Sequence, residues 1–136
     1  MKILVKQLGG PPPGYRWQVL SEDSVHAEAG KILSRPEHFA HVKEQVEELA
    51  REFEPSSPEG TLDIKSIESY YELRDRSGIL GGLNIRLFFG IHHDSQSIVL
   101  LGLIQKQNNG NTPLGDKVRM RRRWRDCLKE LESDNS

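Results

Sequence analysis

Residues 70–106 read YYELRDRSGILGGLNIRLFFGIHHDSQSIVLLGLIQK and contain three strand-like runs, Tyr70–Arg74, Leu83–Ile91 and Ser97–Gln105. A glycine-rich turn at 78–82 separates the first two runs, and a polar turn at 92–96 separates the last two. Strand-like runs divided by such turns are typical of antiparallel strands that follow one another. The stretch therefore predicts a three-stranded antiparallel meander, and the other segments are arranged around it.

The segments before and after the meander supply further elements. Residues 1–20 predict an N-terminal hairpin around the connector GGPPPG, and Leu62–Ile67 predicts a strand that leads into the meander. Two helices are expected between them, the first capped by Ser21 or Ser24 and the second starting at Ser34 with Glu37 closing a capping box. An apolar stripe runs along the second helix, comprising Phe39, Val42, Val46, Leu49 and Phe53.

Leu114–Leu131 predicts a closing helix with its apolar residues near one face, namely Leu114, Val118, Trp124, Leu128 and Leu131. Arg121 is placed within that face, whereas Arg119, Arg122 and Arg123 are expected to point away. The whole pattern predicts an α+β fold in which an antiparallel, mostly meander sheet is packed on one face by an N-terminal helical hairpin and a C-terminal helix.

Length and composition indicate one soluble domain. The chain has 136 residues, of which 35% are hydrophobic and 29% charged, so we expect a single domain over 1–136 with an N-terminal extension at 1–14 and a disordered tail at 132–136. No apolar run approaches the roughly 20 residues that span a membrane, and the start lacks the pattern of a secretory signal. Cys127 is the one cysteine, which excludes an internal disulfide. We expect a cytoplasmic location, with no membrane association, no metal and no small-molecule cofactor.

The net charge of −1 conceals a basic C-terminal half. The window Arg74–Lys129 holds 11 Lys/Arg against 4 Asp/Glu, a net charge of +7. A segment with this net charge can bind a polyanion, and it can equally bind an acidic partner protein. Charge alone does not decide between these two partners.

Three cations of the meander are candidate site residues: Arg74 ends the first strand, Arg86 lies inside the second and Lys106 follows the third. One structural alternative competes with a site. The arginines can form salt bridges, for example with Glu68, Glu72 or Asp75.

Histidines offer weaker candidates. His92 and His93 precede Asp94 in the polar turn, where turn chemistry explains all three, so His92 is kept only as a minor candidate. His38 and His41 are expected to be a surface pair on the second helix.

The order of these motifs resembles the RelE/ParE toxin superfamily, and its phage-derived HigB-like branch in particular. The matching residues are Lys65 with Ile67, Glu72-Leu73-Arg74, Arg86-Leu87-Phe88-Phe89, Ile98–Ile104, Lys106 and Thr112-Pro113, and the resemblance covers Tyr15 to Leu131. Each motif is short, and it is their order and spacing that carry the resemblance.

The resemblance implies a RelE-like fold and the toxin of a type II toxin–antitoxin pair, a metal-independent endoribonuclease that cleaves ribosome-bound mRNA. The ribose 2′-OH would attack the adjacent phosphate, with Arg86, Arg74 and Lys106 as catalytic residues that hold the phosphate and stabilise its charge. The partners implied are a cognate antitoxin, the ribosome and mRNA. RNA contacts are assigned to Lys65, Tyr70, Arg119, Arg122 and Arg123.

Two other functions remain open on the same fold. One is a catalytically inactive module that binds RNA or a protein through its basic end. The other is a gyrase inhibitor, as in the ParE branch of the superfamily. The outer surface of the closing helix is also a possible docking surface for an antitoxin.

Overall fold

A computed structural model describes residues 3–6, 14–75, 80–106 and 110–134, with side chains from residue 14 onwards and up to residue 133. The described residues form six strands and three helices. In chain order these are β1 (Ile3–Lys6), β2 (Gln18–Glu22), α1 (Asp23–Ile32), α2 (Pro36–Arg51), β3 (Asp63–Ser66), β4 (Tyr71–Arg74), β5 (Ile85–His92), β6 (Ser97–Gln105) and α3 (Leu114–Asp134).

The strands form one mixed sheet in the order β1-β2-β6-β5-β4-β3. β3 to β6 are antiparallel neighbours, so the predicted meander is confirmed, and β1 pairs antiparallel with β2 as the predicted hairpin. β2, however, lies parallel to β6, and the prediction of an antiparallel sheet is wrong at this position. The meander leaves one edge of β6 without a partner, and β2 supplies the missing backbone hydrogen bonds there.

The helices cover both faces of the sheet, which corrects the expectation that they lie on one. α1 and α2 pack over a cluster that includes Val46, Leu87 and Leu100, on what we term the α1–α2 face. α3 packs over a cluster that includes Phe88 and Leu101, on the α3 face. Because successive strand residues point to opposite faces, the apolar run 98–104 of β6 is buried on both sides, as its sequence predicts for a central strand.

Two glycines bring α3 close to the sheet. A Cβ added at Gly90 would lie 2.5 Å from ring atoms of Trp124, and one added at Gly102 would collide with the Met120 side chain. These close approaches determine which face of α3 is buried: Met120, Trp124, Cys127 and Leu131. The predicted apolar face is therefore wrong in its first turns, where Leu114 is 73% and Val118 is 45% exposed.

The ends of the helices differ from the expected caps. The Glu22 side chain caps α1 by accepting from the Ser24 backbone N–H over 3.0 Å. α2 starts at Pro36 after Arg35 without a side-chain cap, so the capping box predicted from Ser34 does not form. α3 continues to Asp134, and the tail predicted from 132 is helical to that point. The GGPPPG connector falls largely outside the described residues.

Candidate functional site

The fold brings the three predicted cations together on the α3 face. Arg74 of β4 is the register partner of Arg86 of β5, which lies opposite Ile104 of β6. Lys106 follows two residues after Ile104, and its backbone N–H donates to the Asn84 carbonyl over 2.8 Å. Residues at alternate positions share a face, so the ends of three adjacent strands present three cations in one row.

Glu72 lies at the centre of this row. Its Oε1 accepts from Arg74 Nε and from Arg86 Nη1, each over 2.6 Å, and its Oε2 accepts from the Thr112 hydroxyl. Burial raises the pKa of Glu72, but the hydrogen bonds from Thr112, Arg74 and Arg86 outweigh it and hold the pKa below its ordinary value. The buried carboxyl is therefore ionised at neutral pH and serves as counter-ion to both arginines.

A short segment, Gly110–Thr112, crosses over these cations, and we term it the strap. The Gly110 carbonyl accepts from Arg86 Nη2 over 3.4 Å and from Lys106 Nζ over 2.6 Å. Lys106 Nζ also donates to the Asn111 carbonyl over 2.6 Å. Burial and the neighbouring charge of Arg86 lower the pKa of Lys106. The carbonyl oxygens of the strap thus accept hydrogen bonds from Arg86 and Lys106, whose N–H groups an anion would otherwise contact.

Two donors of the cluster have no hydrogen-bond partner among the described residues. Arg86 Nε and Arg74 Nη2 are buried and make no hydrogen bond within the described part of the chain. Arg74, Arg86 and Lys106 together carry three positive charges, against the single carboxylate of Glu72 that the two arginines contact. Buried donors are normally hydrogen-bonded. The excess positive charge of the three cations and the two N–H groups without a partner therefore indicate a site that can bind an oxygen-rich anion.

Two of the residues assigned to RNA contact occupy very different positions. Tyr70 is fully buried, its hydroxyl donates to the Lys117 carbonyl over 3.1 Å, and burial raises its pKa to about 12. No face of the Tyr70 ring is left for a base. Lys65 lies exposed on the edge strand β3, opposite Glu72 in the register. Of these two residues, Lys65 is therefore the one positioned to meet a ligand from solvent.

The arginines of α3 also divide. Arg123 points inward, against expectation, and donates to Glu28 over 3.0 and 3.1 Å and to the Leu101 carbonyl over 2.9 Å. Its Nε lies 3.3 Å from Glu22 Oε2. Arg121 is exposed and pairs with Glu68 over 2.6 Å, so its predicted place in the apolar face is wrong. Arg122 is exposed, while Arg119 pairs with Asp116 over 3.0 Å.

His92 and His93 lie away from the cation row, whereas His41 lines a small pocket together with Arg74. His92 Nδ1 contacts the Ser95 hydroxyl at 2.6 Å, and His93 pairs with Glu54, both at the turn that closes the far end of β5. His41 is not a surface residue as expected, since its Nε2 lies 2.9 Å from Asp75 Oδ1 and its side chain is 10% exposed. In the described ranges no three His, Cys, Asp or Glu side chains gather to hold a metal ion.

Glu72, Thr112 and Gly110 organise the cluster. Sequence reasoning named Glu72 only as one of three possible salt-bridge partners, and it gave no site role to Thr112 or Gly110. One signal was available for Glu72: it lies two residues before Arg74 on a strand, so both side chains share a face. No such signal existed for the strap, because its contacts with Glu72 span 40 residues.

The chain matches no protein-family model, and comparisons with curated proteins and with solved structures found no significant similarity. None of the helices in the described part of the chain has the apolar run that a bilayer crossing requires.

Proposed function

We propose that the protein is a toxin of the RelE/HigB type, with a RelE-like fold, that cleaves ribosome-bound mRNA without a metal and is neutralised by a cognate antitoxin. The cation row is the site in this proposal. The ribose 2′-OH attacks the adjacent phosphate, and the bond from phosphorus to the 5′-oxygen of the next nucleotide breaks, which leaves a 2′,3′-cyclic phosphate and a free 5′-OH. Negative charge develops on the phosphate oxygens in the transition state.

The proposal is carried by the buried N–H groups of Arg86 and Arg74 that have no partner in the described part of the chain. Both guanidiniums are held in place by Glu72, so their remaining donors are oriented before a ligand arrives. Donors oriented in a water-excluded site stabilise developing charge without reorganisation. Lys106 adds a third cation. On binding, its ammonium exchanges the Gly110 and Asn111 carbonyls for phosphate oxygens.

Exposed cations outside the row supply the RNA contacts of the proposal. Lys65 and Arg122 are exposed to solvent, and Arg119 lies partly so. Phosphate contacts of this kind position a nucleic acid and do not read its sequence. Tyr70 and Arg123, whose side chains are engaged inside the fold, take structural roles instead.

The test measures cleavage of mRNA on purified bacterial ribosomes by the wild-type protein, by Arg86→Met and by Lys106→Met. Removal of one transition-state donor lowers rates by about 100-fold or more, so both variants should lose cleavage by at least that factor. Arg125→Met, on the exposed side of α3, is the matched control and should retain activity. Absence of cleavage by the wild-type protein on programmed ribosomes would refute the proposal.

A catalytically inactive binding module is the second candidate. The observation that favours it is the burial of Arg86, which is 1% exposed and whose Nη1 and Nη2 are both occupied within the fold. A buried guanidinium whose donors are taken up in this way serves as one partner of a structural ion pair. RNA binding that weakens with salt while no product forms would support the module, and inhibition of gyrase supercoiling would point to the ParE-like activity instead.

A further inference from the structure

A cavity of about 480 Å³ lies on the α1–α2 face, on the opposite side of the sheet from the cation row. Leu87, Leu100 and Leu103 of the sheet form its floor. Its walls come from the two helices, with Val25, Ala29 and Leu33 on one side and Phe39, Val42 and Val46 on the other. A volume of about 300–1,000 Å³ with such a lining is typical of small-molecule sites.

Polar groups around the cavity are few. His26, Lys43 and Glu47 line it, together with Ser21. Glu47 is engaged elsewhere, since it accepts from the Tyr15 hydroxyl over 3.0 Å, and Arg51 donates to that hydroxyl over 3.1 Å. Lys43 and His26 are exposed and form no ion pair or hydrogen bond within the described residues. Among the charged lining groups, Lys43 is therefore the one whose side chain is not engaged by another group of the described residues, whereas the Glu47 carboxylate is held by Tyr15.

This distribution points to one class of ligand. We propose that the cavity binds a single-chain amphiphile with a carboxylate head, of the medium-chain fatty acid type, with its apolar chain over the leucine floor and its head at Lys43 and His26. The occupant follows from charge complementarity, because an apolar chain matches the lining and one negative charge matches Lys43.

A partner helix fits this face less well. Helix docking uses a row of apolar anchors on an open surface, whereas the apolar side chains here are recessed and Phe39, 45% exposed, is the one lining residue among the large exposed hydrophobics. The inference does not depend on the proposed ribonuclease activity.

Calorimetric titration with octanoate, decanoate and dodecanoate, below their micellar concentrations, tests the site. Burial of each methylene should tighten binding about fourfold until the cavity is filled. Ala29→Leu fills the cavity and should abolish saturable decanoate binding, whereas Ala27→Leu, exposed on the same helix, should not. Equal binding by the wild-type protein and Ala29→Leu, or no saturable binding at all, would overturn the proposal and leave the face to another occupant.

The head group is tested separately with Lys43→Gln. Loss of one exposed charge pair should weaken decanoate binding by about two- to fivefold and leave binding of the neutral decanol unchanged. Lys129→Gln, on α3 across the sheet, is the matched control. Lys106→Gln should also bind decanoate normally, which separates this cavity from the cation row. A decanoate affinity that falls with Lys106→Gln rather than with Lys43→Gln would contradict the assignment.

Discussion

Arg86 Nη1 and Glu72 Oε1 lie 2.6 Å apart in a part of the fold that solvent does not reach, since Arg86 is 1% and Glu72 is 0% exposed. Arg74 shares the same carboxylate oxygen. Two guanidiniums on one buried carboxylate are stable only as a set, because removal of the anion leaves charges that neither water nor another group compensates. The fold and the proposed site therefore depend on the same carboxylate.

Glu72→Gln should lower the free energy of unfolding by about 3 kcal/mol at pH 7, because both arginines lose their buried counter-charge. The folded-state pKa of Glu72 lies below its ordinary value of 4.5. The stability that Glu72 contributes is thus present above that value and is lost as pH falls through the lower, folded-state pKa. Urea unfolding at several pH values should show the gap between wild type and variant closing below pH 4.5.

Glu68→Gln is the matched control for that substitution. Glu68 pairs with Arg121 at the surface, where the two side chains are 31% and 54% exposed. Exposed pairs contribute little, so unfolding at pH 7 should be nearly unchanged. An equal effect of the two substitutions would contradict the role given to Glu72.

Thr112→Val should loosen the strap while keeping the shape of the side chain. The Thr112 hydroxyl is buried and donates to Glu72, and loss of a hydrogen bond to a buried charged group costs about 1.5–3 kcal/mol. Reaction of Arg86 with phenylglyoxal, followed by mass spectrometry, should become faster than in the wild type. Thr61→Val, an exposed site, should change neither stability nor reactivity.

Arg123→Met should destabilise the fold by about 3 kcal/mol, because Glu22 and Glu28 would lose their cation in a largely buried setting. The Arg123 side chain is 11% exposed. Arg122→Met, one position earlier and exposed, should have almost no effect on thermal unfolding. Equal melting temperatures of the two variants would show that this network contributes nothing to stability.

Gly90→Ala should destabilise the protein by about 1–3 kcal/mol through overpacking, because the new methyl group meets the rigid Trp124 ring. Trp124→Phe in the same chain should recover part of the loss by making room. Gly30→Ala in α1, where an added Cβ meets nothing within 4 Å, should instead stabilise by about 0.5–1 kcal/mol. Thermal unfolding of the three variants measures both the expected destabilisation and the expected stabilisation.

Salt dependence tests whether the exposed Arg122 of α3 contacts a phosphate, if RNA binds as proposed. Arg122→Gln should reduce the slope of log affinity against log salt by about 0.7, the contribution of one phosphate contact to a single strand. Lys31→Gln, on the other side of the fold, should leave the slope unchanged. An unchanged slope for Arg122→Gln would remove this face of α3 from the RNA interface.

The elements of this protein are largely a property of its sequence. β-branched and aromatic runs between glycine-rich and polar turns predicted β4, β5 and β6 within two residues of their observed ends. The unbroken apolar run of β6 predicted a strand buried on both faces, and the structure has it in the interior of the sheet. Short-range chemistry suffices for these features, since a turn or an alternating pattern depends on neighbouring residues.

The arrangement of the elements was decided by contacts between distant residues. The sequence left Glu68, Glu72 and Asp75 as possible partners for the arginines, and strand register selected Glu72. Packing between distant segments decided three further features: the parallel direction of β2, the position of α3 on its own face of the sheet, and the inward orientation of Arg123. Arg123, for example, pairs with Glu28, which lies 95 residues away in the sequence. Such pairs form only when the sheet brings the two residues together. A local sequence pattern therefore does not indicate which two charged side chains will be buried next to each other.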